Sequence, residues 1–188
     1  MIAGVIANRC NHPTNANPTL QIKNPAELLV ADNEIPGWVL PADQLSVDGI
    51  AYNNDDLYRL RDGPGEDFVQ NGFVNGAFGQ YIDTNRSSPD SMVNLSLEIY
   101  NQSTQSNALK VLHIFDVPGE QYEIFKNLGN VARGDTTVAT HFLEMVYKTC
   151  YVRLNIYDRG AATDSLDRQV LIDFGVAIVK RIDAALQP

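Results

Sequence analysis

Cys150-Tyr151-Val152-Arg153-Leu154-Asn155-Ile156-Tyr157 decides the fold. Successive side chains of an extended strand point to opposite faces. Cys150, Val152, Leu154 and Ile156 therefore share one apolar side, and Tyr151, Arg153, Asn155 and Tyr157 share a polar one. A strand with one apolar and one polar side belongs in an antiparallel sheet whose first face is packed and whose second is wetter. Residues 92–100 repeat the pattern, with Val93, Leu95, Leu97 and Ile99 against Asn94, Ser96, Glu98 and Tyr100.

Outward from these two strands, residues 140–148 place Leu143, Met145 and Tyr147 on one side and form a hairpin with the 150–158 strand. The turn between them is tight and lacks Asn-Gly, so turn chemistry does not set its register. Residues 73–82 form a further strand, in which Gly76, Ala77 and Gly79 suggest a bulge or a close backbone approach. Ser103 or Thr104 caps a helix to about residue 115, because Ala108, Val111, Leu112 and Phe115 fall at i, i+3, i+4 and i+7. A short helix is expected over 120–127, closed by Leu128-Gly129. Thr163 or Asp164 starts a long final helix with Leu166, Val170, Phe174, Ala177, Ile178, Ile182 and Ala185 on one stripe. Gly175 in its middle marks close packing on the sheet. Earlier, residues 54–60 and 66–70 read as short helices broken by Asp62-Gly63-Pro64-Gly65. The order is ββαββα. The expected class is α+β, an antiparallel sheet of four or more strands with helices packed on one face.

Residues 1–36 read as a separate opening arm, rich in Asn and Pro between Asn8 and Asn24, and residues 37–188 as one domain. So long a stretch without periodicity is unusual in a compact domain. Contact with a protein partner or a second copy of the chain through this arm is the expectation. The 188 residues carry a net charge of −9, and the pI is near 4.6. The 14 Lys and Arg are scattered, so no basic stripe offers itself to nucleic acid. No apolar run reaches membrane-spanning length, so no membrane insertion is expected. The apolar start, Met1 to Ala7, lacks a basic flank and reads as no intact leader. Cys10 and Cys150 are compatible with one disulfide or with two free thiols.

No nucleophile elbow, phosphate loop, His-Glu-x-x-His or Cys-x-x-Cys occurs, so no catalytic residue, metal or cofactor is expected. Cys10 and His12 are two ligands and do not make a site. His113 lies off its helix's apolar stripe, and His141 and Glu144 are three apart on a strand and face opposite ways. Asp55, Asp56, Asp62, Glu66 and Asp67 cluster at a turn, as helix caps and solvated charge or, less favoured, as a hydrolase centre near Asp62. The candidate binding residues are Glu98, Tyr100, Tyr151, Arg153 and Tyr157, on the polar sheet face. Tyrosine and arginine are enriched at interfaces, and tyrosine rings also stack on sugars. Asn85, Asn94 and Asn101 each head a glycan-acceptor triplet.

The run Asp56-Leu57-Tyr58-Arg59-Leu60-Arg61-Asp62-Gly63, followed by Phe68-Val69-Gln70-Asn71-Gly72-Phe73, resembles an "LYeyInGaaelYlxyGF" motif of uncharacterised bacterial extracytoplasmic proteins. Trp38 ahead of it and Leu97-Glu98-Ile99-Tyr100 after it keep the same order, and the resemblance spans 36–155. Asp62-Gly63-Pro64-Gly65 stands where that family has Asn-Gly-Ala-Ala. The resemblance implies export and an α+β fold, and no reaction. Together these features point to a non-enzymatic extracytoplasmic structural or interaction module. The alternative is a ligand-binding domain, for carbohydrate, on the tyrosine-rich face.

Overall fold

A computed structural model describes residues 21–42, 49–61, 63, 65–88, 91–136, 140–157 and 164–186. Eight strands among these residues form one antiparallel sheet. They are β1 (Trp38–Val39), β2 (Ile50–Ala51), β3 (Phe73–Asp83), β4 (Asn94–Gln102), β5 (Glu123–Ile124), β6 (Val131–Asp135), β7 (Thr140–Tyr147) and β8 (Cys150–Tyr157). The order across the sheet is β1-β3-β4-β8-β7-β6-β5, with β2 also on the outer edge of β3. Four α-helices accompany it: α1 (Asn54–Leu60), α2 (Gly65–Gln70), α3 (Gln105–Ile114) and α4 (Asp164–Ala185). The α+β class and the antiparallel sheet are as expected.

The two alternating stretches become the central pair. β4 and β8 align Leu97 with Leu154, Glu98 with Arg153 and Tyr100 with Tyr151. Val93, Leu95, Leu97 and Ile99 meet Val152, Leu154 and Ile156 in the main core, under Phe174, Ile178 and Ile182 of α4. Gly175 allows α4 to approach Leu128, whose Cδ2 lies 2.9 Å from where a Cβ would stand. This contact is with the turn before β6, not with the sheet itself. Leu166, expected on the buried stripe, is 46% exposed, and Leu171 is buried in its place.

The helices divide between the two faces, where one helical face was expected. α4 covers one face. The other carries a second core, in which Tyr100, Tyr151 and Val146 pack with Leu57, Phe68, Ala108, Val111 and Leu112 of α1, α2 and α3. Counting Tyr100 and Tyr151 as polar hid this layer. A tyrosine ring is mainly apolar surface and is readily buried once its hydroxyl finds a partner. The recurrence of two strands then a helix is therefore no structural repeat, because α3 and α4 lie on opposite faces.

The expected helix over 120–127 is instead the short strand β5. Phe125 N donates to Ala132 O at 3.0 Å, which ties this segment to β6, and Phe125 and Leu128 are buried. Backbone pairing and two anchored side chains outweigh the weak helix propensity of so short a stretch.

Residues 22–35 do not belong to a free arm. Ile22, Leu28, Leu29, Val30 and Ile35 lie in the main core. Asn75 Nδ2 donates to Ile22 O at 2.7 Å, and Tyr81 OH donates to Val30 O at 2.9 Å. The aperiodic spacing of these apolar residues reflects a 3-10 turn (Pro25–Leu28) and irregular chain, which bury side chains without a repeating period. The Asn/Pro-rich part, residues 1–20, lies outside the described residues, as do Cys10 and His12.

Cys150 is a free, fully buried thiol. Burial pushes it up to about 12. Thiol reagents attack the thiolate, so at pH 8 its labelling is expected to run at least roughly 1000-fold slower than that of an exposed cysteine. The chain in urea should label at the ordinary rate. Rapid native labelling at position 150, located by peptide mapping, would contradict this burial.

Candidate functional site

A row of charges crosses the second face beside its aromatic core. The β-pairings set Glu98 opposite Arg153, Arg153 opposite Glu144, and Glu144 opposite Arg133, so four residues of alternating sign cross β4, β8, β7 and β6 side by side. Behind the row, Tyr100 and Tyr151 lie buried beneath the helices. The next row holds Gln80, Ser96, Asn155 and Phe142, of which Ser96 and Asn155 are themselves buried.

Each carboxylate in the row has its own donors. Glu98 pairs with Arg61 at 2.9 Å and accepts from Tyr100 OH at 3.0 Å. Glu144, 2% exposed, accepts from Arg133 Nε and Nη2 at 3.1 and 3.0 Å and from Tyr151 OH at 2.7 Å. Arg133 also reaches Asp116 and the Leu112 carbonyl, and its guanidinium lies over the Tyr122 ring. Burial, and after it the neighbouring carboxylate, holds both tyrosine hydroxyls above their usual range, so they remain neutral donors.

Arg153 differs from its neighbours. It faces two acids in register, yet hydrogen-bonds to neither. Its Nε is enclosed without a hydrogen-bond partner and stands 3.7 Å from Glu144 Oε1. The guanidinium lies 5.3 Å from the centre of the Phe115 ring, which itself stacks on Tyr151. Its side chain is 34% exposed and lines a cavity of about 390 Å³ with Phe115, Asp116, Glu120, Tyr122, Phe142 and Glu144. That volume lies within the range of small-ligand sites. Ile114 and Val117 at its rim are 42% and 50% exposed.

The five sequence candidates thus fall into three positions. Glu98 and Arg153 stand in the charged row. Tyr100 and Tyr151 are buried behind it, so they offer no ring to a ligand and instead hold the two carboxylates. Tyr157 is 43% exposed and lies four residues further along β8, about 13 Å from Arg153. Arg133, Tyr122 and Phe142 were missed. β6 shows no alternation in sequence, and Phe142 starts a strand whose apolar face is the other one.

Another buried charge cluster was also missed. Asp167, fully buried in the first turn of α4, accepts from Arg86 Nη1 at 2.6 Å and lies 2.9 Å from His141 Nδ1. Arg86 also donates to Asp83 at 2.6 Å and sits over the Trp38 ring. Glu144, set aside in the sequence as a partner for His141, does face the other way. The true partner is 26 residues distant, and no local spacing reveals it.

Among the described residues, no three acids of the acidic cluster converge. Asp62 lies outside the described residues. Asp56 accepts from Tyr52 N near the α1 start, and Asn53 caps that helix. Glu66 is held below its usual range by the Tyr58 hydroxyl and Gln70, the reverse of what a general acid needs. Of the three acceptor asparagines, Asn101 is buried and donates to Asn75, whereas Asn85 is exposed.

No protein-family model matches the chain, and no relative is found among curated proteins. Among solved structures, the extracellular domain of PknH from Mycobacterium tuberculosis is similar over 72% of this chain and 77% of that one, at 8% identity and a TM-score of 0.41. No helix among the described residues is long and apolar enough to cross a membrane.

Proposed function

We propose that this chain is a non-enzymatic, extracytoplasmic recognition module that binds a ligand in the cavity between the end of α3, the chain after it and strands β7 and β8, with Arg153 at the centre. The carrying observation is the Arg153 guanidinium, which stands 3.7 Å from Glu144 but makes no hydrogen bond with any described residue, in a cavity walled by Phe115, Tyr122 and Phe142. Aromatic residues and arginine in a partly desolvated pocket are the usual carriers of binding energy. The cavity favours ligand binding over a purely structural role, since a solvated sheet face would be flat. The extracytoplasmic setting rests on the sequence resemblance.

The test is an amide NMR titration of the intact chain against panels of glycans and short peptides. A true ligand should shift Tyr122, Phe142 and Arg153 together. Arg153→Ala should then weaken it by at least about tenfold, the loss of one central contact. Shifts confined to other surfaces, or an Arg153→Ala variant that binds as well as the parent, would sink the proposal.

A further inference from the structure

We infer that this cavity takes an uncharged, hydroxyl-rich ligand of the saccharide type; the inference rests on the recognition reading above and narrows it. Charge is the first ground. The lining sets Asp116, Glu120 and Glu144 beside Arg153, and Arg133 behind it bridges Asp116 and Glu144. Asp116 and Glu144 each already hold an arginine. An acidic ligand would add a charge beside Glu144, and a cationic one would add a charge beside Arg153. Glu120 lies exposed at the mouth, where solvent screens it.

Hydrogen bonding is the second ground. Arg153 makes no hydrogen bond with any described residue. It lacks acceptors rather than countercharge. Asp116 and Glu120 border the same space as acceptors. A ligand that both accepts from a guanidinium and donates to carboxylates fits this arrangement, and hydroxyl groups do both. The third ground is the apolar wall. The rings of Phe115 and Tyr122 already carry Arg153 and Arg133. Phe142, half-buried in the lining, carries no cation and touches Tyr122 edge-on at 6.1 Å. It is free to meet the C–H face of a sugar ring.

The experiment titrates the intact chain with neutral oligosaccharides, the matching uronic-acid and amino sugars, and short peptides, following Tyr122, Phe142 and Arg153 by NMR. Neutral sugars should shift these residues, and each charged counterpart should bind at least about fivefold more weakly. Arg153→Lys should also lose binding, because an ammonium keeps the charge but not the planar donor fork. Tighter binding of a uronic acid, an amino sugar or a peptide at these same residues would overturn the saccharide assignment and leave the recognition site standing. No shift at these residues with any probe would overturn both.

Discussion

Asp167→Ala is expected to destabilise the protein by about 3–5 kcal/mol, the usual loss when one partner of a buried ion pair is removed. Asp167 is fully buried, and its two oxygens engage Arg86 and His141. Without it, Arg86 keeps Asp83 and loses one of its two carboxylate partners among the described residues. The carboxylate also stands in the first turn of α4, where the helix dipole favours negative charge. The cluster joins the end of β3, the chain after it, the start of β7 and α4. Its loss should therefore free the first turn of α4 before the rest of the fold. In urea the midpoint should fall by about 2 M at a slope near 2 kcal/mol/M. Asp167→Asn, which keeps the size and one acceptor, should lose less. A double-mutant cycle with Arg86→Ala isolates the pair. A loss below about 1 kcal/mol for Asp167→Ala would show that water replaces the carboxylate and that the cluster is not a clamp.

Glu144→Ala is expected to have an effect of similar size, about 3–5 kcal/mol, with a second consequence at the cavity. The carboxylate takes two bonds from Arg133 and one from Tyr151. Removing it leaves a buried guanidinium with Asp116 as its only acid among the described residues and a buried hydroxyl that has lost its acceptor. Tyr151 stacks on Phe115, and Phe115 carries Arg153, so the disturbance passes directly to the binding wall. Glu144→Gln should retain the Tyr151 bond and cost about 1.5–3 kcal/mol, the range for a hydrogen bond to a charged group. Thermal melts give the stability, and the titration of Phe142 and Arg153 gives the site. A fully stable Glu144→Ala protein would mean that Arg133 is satisfied by Asp116 and solvent alone.

The sheet was legible because alternation is a local signal. Residues 92–100 and 150–158 each carry it unbroken, and their facing polar residues, Glu98 and Arg153, do lie opposite each other. The ion pair suggested by that facing is not made, because Arg61 from after α1 takes Glu98 first. That competitor is distant in sequence, and no strand pattern contains it.

The sequence by itself determined the period-2 strands, the Thr104 cap of α3 and the sidedness of β4 and β8. Each depends on backbone sterics or on residues within one or two turns of one another. Tertiary structure alone decided which face each helix covers, that residues 22–35 close the core, that β5 pairs with β6, and which charges meet at Glu144 and Asp167. These outcomes depend on burial and on partners dozens of residues apart. An arginine left without an acceptor can be recognised only after every neighbouring carboxylate has been assigned its donor.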